Sequence, residues 1–292
     1  MNKKIKNIII ENPIILILFV FIILCLIVFL LSCPYYSKDF YEAVLVELHG
    51  LLFEMAILVI LINFIMNKKD KNDSIKSSME FLENNASLKG EAIMVNKISY
   101  LNRLNKKYKV YKYILQDFYI FKKNLKDLNF FNSKLYGLKI EESNLNNCNY
   151  ENVYSDSSKF INTKFKNCIF KKCSFDKLIL NNVKLVNIKF TDSILTKAKF
   201  DNLNLADLIL TNNNMKNSSF EGTTLEKVNF KNSNLESVNF KNSKLKSINF
   251  NNVNLENANF DGCEIENIYY NKITFNSKED LVREINKSDG EP

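Results

Sequence analysis

An all-β solenoid preceded by a helical membrane anchor is the fold predicted for this chain, on three observations. From Leu125 to Phe275 every fifth residue is apolar with one exception; two long uncharged stretches lie within the first 66 residues; and only six glycines and three prolines occur among 292 residues. A β-rich chain so poor in Gly and Pro must turn its corners by other chemistry. With 46% hydrophobic and 25% charged residues, the balance excludes wholesale disorder.

Taken in order, Ile14 to Leu31 is eighteen residues without a charge, long enough to cross a hydrocarbon core as a helix. Lys3, Lys4 and Lys6 precede it, and Lys68, Lys69 and Lys71 follow the second apolar stretch, Ala43 to Met66. This asymmetry predicts a hairpin of spans 14–31 and 43–66 with both ends in the cytoplasm, at the cell (inner) membrane. Tyr35, Tyr36 and Tyr41 suit an outer aromatic belt. Leu30-Leu31-Ser32-Cys33 looks like a lipoprotein processing box, but the apolar run exceeds the roughly 7 to 15 residues of a signal h-region, and a second span follows. In that second span Glu54 is a candidate intramembrane polar site, while Glu47 and His49 fit the outer interface, where charge costs little.

Residues 67–122 read as a cytoplasmic helical connector and N-terminal cap. Asn67 to Ser87 is polar and predicts no core of its own, whereas Met94, Ile98, Leu101 and Leu104 have amphipathic helical spacing. Val110 to Phe121 suits either a helix or a strand.

From Leu125 the period of five must decide the fold. Of 31 positions divisible by five, only Ser155 is not Leu, Phe, Ile, Met or Tyr. Two residues before each stands a second inward candidate, usually small or β-branched, such as Ser143, Val183, Ala198, Val228 or Ser243. Neither a helix nor a flat strand can bury a period of five; a coil that turns a corner every five residues can. The run Asn229 to Phe260, NFKNSNLESVNFKNSKLKSINFNNVNLENANF, resembles the pentapeptide-repeat family, with Leu or Phe at each centre and a small residue two before it. The resemblance implies a right-handed quadrilateral parallel β-helix over 123–276, with twenty residues per turn. Sorting the centres by twenty agrees. Leu125, Leu145, Leu185, Leu205 and Leu225 fall on one side, whereas Phe130, Tyr150, Phe170 and Phe190, and Phe200, Phe220, Phe240 and Phe260, fall into aromatic columns.

Three departures carry their own expectations. Ser155 predicts a bulge or short loop over Val153 to Ser158, with Tyr154 turned inward. Asn213, at an inward position, needs hydrogen-bond partners. Ser277-Lys278-Glu279-Asp280 resembles a capping box, predicting a capping helix in 277–292.

Chemistry is sparse. The single histidine sits beside a membrane span, and the scattered glycines build no phosphate loop, so the residues predict no catalytic site, cofactor or metal. Cys148, Cys168, Cys173 and Cys263 fall at small inward positions and read as core thiols. The net charge is +8, and between Lys159 and Lys199 ten lysines meet only Asp176 and Asp192. Within that belt Lys164, Lys171, Lys172, Lys184 and Lys199 are candidates for docking an anionic partner, a protein or anionic lipid. The lack of Arg and of interleaved exposed aromatics in this belt disfavours specific nucleic-acid recognition, and the positive sign is wrong for mimicry of DNA, a role the resemblance raises. The predicted function is a non-enzymatic, membrane-anchored scaffold with an unidentified protein partner. The alternative is a channel or transport component whose oligomerised hairpin forms a polar path past Glu54.

Overall fold

The computed structural model describes residues 37–275 and positions 23, 26, 27 and 30. The chain divides into two compact units between Asp73 and Ser74. Helix α1 spans Lys38–Asn84, and its residues up to Asp73 belong to the first unit. Val46, Leu51, Phe53, Leu58, Ile60, Leu61, Phe64 and Ile65 are exposed there. A helix apolar on all sides suits a hydrocarbon surrounding. Among the described residues this is the one helix long and apolar enough to cross a membrane. The first predicted span, 14–31, lies largely outside the described residues; its positions 23, 26, 27 and 30 are helical.

In the second unit a parallel β-solenoid of the right-handed type is built from three-residue strands and single bridges. Each residue pairs with the one twenty positions on: Phe130 with Tyr150, Lys164 with Lys184, Leu205 with Leu225. The twenty-residue turn read from side-chain sorting is therefore the observed register. Four ladders form the sides. One holds Ile120, Ile140, Phe160 and Leu180; the next Leu125, Leu145, Phe165 and Leu185; the third Phe130, Tyr150, Phe170, Phe190 and Leu210. The fourth is a bridge ladder stepping by twenty from Ile114 to Thr274. The coil thus begins nine residues before the expected start at 123, and part of 110–121, left open between helix and strand, is its first turn.

The corners explain how so few glycines suffice. From 122 to 272 every fifth residue has φ between +48° and +68°. Three of these are glycine; most of the others are Asn, Asp, Lys or Ser, and Asn is the side chain that tolerates the left-handed region best. Corner asparagines also bond along the coil: Asn232 Nδ2 donates to Asn212 Oδ1 at 3.0 Å, and Asn252 Nδ2 to Asn232 Oδ1 at 3.1 Å. The Asn bias is thereby given a structural use.

Inside, rings stack on rings. Centroids of Phe170 and Phe190 lie 4.5 Å apart, those of Phe200 and Phe220 4.8 Å, and those of Phe240 and Phe260 5.2 Å. Asn213 finds its partners, donating to the Phe190 carbonyl and accepting from Ser193 N–H, each at 2.9 Å.

The break expected at Ser155 does not occur. Tyr154 stays outward and bridges Lys134 and Ser174 in register, while buried Ser155 donates to the Leu135 carbonyl at 2.9 Å and meets Ser158 Oγ at 2.8 Å. The next turn brings Phe160, Phe165, Phe170 and Phe175 into one layer, with Phe160 and Phe165 centroids 4.9 Å apart and Phe170 and Phe175 5.5 Å apart. A small centre below four rings conserves core volume, so register need not change.

Nor is 67–87 without a core. Helix α1 continues to Asn84, and Ile75, Met79 and Leu82 pack against the core of the second unit, the Phe81 and Tyr100 rings meeting at 4.4 Å. Helix α2, Glu91–Asn102, buries Met94, Lys97 and Leu101, and a π-turn follows over Arg103–Tyr108. These elements satisfy the edge of the first turn: Tyr119 N–H donates to the Ala86 carbonyl at 3.0 Å, and Asn129 N–H to Asn105 Oδ1 at 2.9 Å. The predicted capping helix at 277–292 lies outside the described residues.

Candidate docking surface

Along each five-residue step the centre points in and its two neighbours point out, so lysines at those neighbouring positions become columns on a flat side, spaced about 4.8 Å. All five docking candidates are exposed, but they do not share a side. Lys164 and Lys184 are register partners on the Leu145 side. Lys171 flanks Phe170 on the next side and pairs with Glu151 at 3.7 Å, and Lys172 is the left-handed corner that follows, φ +53°. Lys199 flanks Phe200 on the side of Phe160 and Leu180, bridging Ile179 and Ser219. The five lysines therefore spread over three of the four sides and one corner.

Lys166, outside the candidate set, joins Lys164 and Lys184 because it lies two residues from Lys164 on the same strand, Lys164–Lys166. Its spacing carried that signal, since residues i and i+2 share a strand face. A shallow groove of about 340 Å³ is lined by Lys164 and Lys184 together with Glu142, Asn144, Asn162 and Asn182.

Glu54 is exposed on α1. The thiols behave as core groups. Cys173 Sγ donates to the Tyr150 carbonyl at 3.3 Å and burial pushes its pKa up to about 12, while the hydrogen bond with Cys168 and burial hold Cys148 well above the ordinary thiol range. Cys148 and Cys173 are therefore poor nucleophiles at neutral pH. Lys97 gave no sequence signal, since a lysine within an amphipathic pattern reads as solvated. Its burial holds its pKa down at about 8.

A five-residue repeat wound into a four-sided parallel coil defines the class of repeat solenoids built from pentapeptides. A family model described as a pentapeptide repeat region matches residues 158–240 and, overlapping it, 193–270, all within the coil. No curated protein matches the chain. Among solved structures, a trypsin-treated variant of QnrB1, a plasmid-mediated fluoroquinolone resistance protein, is 13% identical and covers 59% of this chain and 96% of its own, with a TM-score of 0.28. HetL of Nostoc sp. strain PCC 7120, a pentapeptide repeat protein involved in heterocyst differentiation regulation, is 13% identical over 55% of this chain and 86% of its own, with a TM-score of 0.23. The periplasmic alginate epimerase AlgG is 7% identical over 60% of this chain and 53% of its own, with a TM-score of 0.34.

Proposed function

We propose that this chain is a non-enzymatic, membrane-anchored scaffold. Spans 14–31 and 43–66 form the anchor, the N-terminus and coil lie in the cytoplasm, and the coil presents flat basic sides to an acidic partner. The observation that carries the reading is the arrangement of outward lysines on rigid, hydrogen-bonded sides, several of them without a carboxylate partner among the described residues. The exposed apolar surface of α1, followed by Lys68, Lys69 and Lys71, supports the anchor.

The test uses the full chain in intact cells. It should resist carbonate extraction from membranes, and a membrane-impermeant thiol label should reach Cys33 but not Cys148 or Cys263. Labelling of Cys263, the partly exposed thiol of the coil, without permeabilisation would overturn the orientation, and release by carbonate would overturn the anchor. Glu54, exposed on an apolar helix, favours a second reading in which the oligomerised hairpin conducts. Conductance in planar bilayers that is lost in Glu54→Gln would replace the scaffold reading with that one.

A further inference from the structure

Several lysines on this coil are neutralised along its axis. Lys122 meets Glu142 at 3.4 Å, Lys171 meets Glu151 at 3.7 Å, Lys216 meets Glu236 at 2.7 Å, Lys244 meets Glu264 at 2.8 Å and Lys246 meets Glu266 at 3.1 Å, each pair twenty residues apart. Three lysines stack directly on another lysine one turn away. In two of these stacks a carboxylate is at hand: Lys139, register partner of Lys159, is held by Glu141 at 2.8 Å, and Lys177, twenty residues before Lys197, lies 3.9 Å from Asp176. The third, Lys164 on Lys184, has no ion pair within 4 Å among the described residues, and neither has Lys166 beside it.

Like charges directly opposite on neighbouring strands repel. Here the three ammonium stems rise from two adjacent strands, about 4.8 Å apart between strands and about 7 Å apart along one. Asn144, register partner of Lys164, bounds them on one side, and Asn182 and Asn162 line the adjoining groove. The one carboxylate in that groove, Glu142, is already engaged by Lys122. Toward the other end of the same side the charge changes sign: Glu226, Glu264 and Glu266 are outward there, and Lys244 and Lys246 are paired. A broad anionic surface laid along the whole side would meet those acids. A small group of high charge density would not.

We infer that Lys164, Lys166 and Lys184, with the amides of Asn144, Asn162 and Asn182, form a binding site for a compact oligophosphate, two or more phosphoryl groups on one small ligand or headgroup. Lysine binds phosphate as a point charge, and one carboxylate would leave two of the three ammonium groups uncompensated. The site rests on the reading of the basic belt as a docking surface, and it narrows five dispersed lysines to one side. It does not depend on the anchor, so its failure and that of the membrane reading are separable.

The probes are tripolyphosphate in solution, and phosphatidylcholine vesicles doped with either cardiolipin or phosphatidylserine at equal charge, each presented to the full chain in detergent or reconstituted form. Tripolyphosphate binding that weakens at least tenfold in Lys164→Gln/Lys166→Gln/Lys184→Gln, and less than twofold in Lys171→Gln/Lys199→Gln, supports a site for a free ligand. Capture by cardiolipin but not phosphatidylserine vesicles, lost in the same triple variant, supports the same chemistry on a lipid. Retention of binding by Lys164→Arg/Lys184→Arg is expected in either case. Equal weakening by both Gln variants, equal capture by the two lipids, or binding of neither probe overturns the site. Unchanged thermal melting of the Gln variants shows that the loss is not unfolding.

Discussion

Lys97 Nζ donates to the backbone carbonyl of Tyr119 across 3.2 Å, binding helix α2 to the first strand of the coil. The same ammonium donates to the carbonyls of Leu88, at 3.0 Å, and Ala86, and lies 5.1 Å from the Phe118 ring. It is fully buried. A solenoid ends in an open edge of unpaired backbone groups, and here a single cation gathers carbonyls from the cap and the edge together.

That burial predicts a pH dependence. The folded pKa of about 8 lies below the ordinary 10.5, so between these values the unfolded chain binds more protons than the folded one. The contribution of Lys97 should therefore rise as pH climbs from about 8 towards 10.5 and stay flat below 8. Cys148 and Cys173, whose thiols are held up in the folded chain, act in the opposite sense above about pH 9, so the effect is read as the difference between parent and variant. Lys97→Met should remove that rise and, by taking the Lys97 donor from the Leu88 and Tyr119 carbonyls while Ala86 keeps its bond from Tyr119 N–H, cost about 1–3 kcal/mol at pH 7. Urea midpoints of the full chain in detergent at pH 7, 9 and 10 check both. A parent and variant that respond identically to pH would show that Lys97 is not the titrating group.

The side of the coil each residue takes was legible from residue 125 onward, because a centre every five residues leaves one register that buries Phe130, Leu145 and Phe240 together. The N-terminal closure was not. Ile75, Met79 and Leu82 are too sparse among Lys, Asn and Ser to mark a buried face, and Lys97 is buried by tertiary hydrogen bonds that no local pattern encodes. The turn at Ile114 escaped because its centre, Leu115, follows aromatic residues that equally suit a helix. In the candidate site the exposure of each lysine followed from its place beside a centre, but which lysines lack a carboxylate depends on what stands twenty residues away.

Ser155 shows where the repeat pattern misleads. Replacing it with Leu completes the apolar series, yet the position lies one turn below Phe175, against a layer already holding four rings, and its hydroxyl serves the Leu135 carbonyl. Ser155→Leu should destabilise by about 1–3 kcal/mol through overpacking. Adding Phe175→Leu should recover most of that loss, and thermal melts of the single and double variants separate volume from chemistry. A stabilising Ser155→Leu would mean that the site holds unused space.

Asn232 tests the corner chemistry. It combines φ +60° with two amide bonds, to Asn212 and from Asn252. Asn232→Ala incurs the left-handed penalty and loses both bonds, about 2 kcal/mol together, whereas Asn232→Gly loses only the bonds. Alanine should therefore melt below glycine, the reverse of the ordering in a helix interior. If glycine proves the worse substitute, the amide ladder outweighs backbone conformation at these corners.

Phe240 lies fully buried between Phe220 and Phe260, with centroid distances of 5.3 and 5.2 Å, and meets the edges of Phe230 and Phe250 at 6.1 Å each. Phe240→Leu keeps most of the volume and should cost under about 1.5 kcal/mol, whereas Phe240→Ala opens a cavity worth about 3–5 kcal/mol. Phe240→Asp places an unpaired carboxylate among these four rings and should unfold the neighbouring turns. Because each turn touches only its neighbours, the damage should be graded along the axis. Hydrogen exchange reads this directly: Phe220 N–H, bonded to Asn239 O at 2.8 Å, and Phe240 N–H, bonded to Asn259 O at 2.8 Å, should lose protection in Phe240→Asp, while Asn144 N–H, bonded to Lys123 O at 2.9 Å, should keep it. Uniform loss along the whole coil would show that the solenoid unfolds as one cooperative block, and unchanged protection at Phe220 would place Phe240 outside the core.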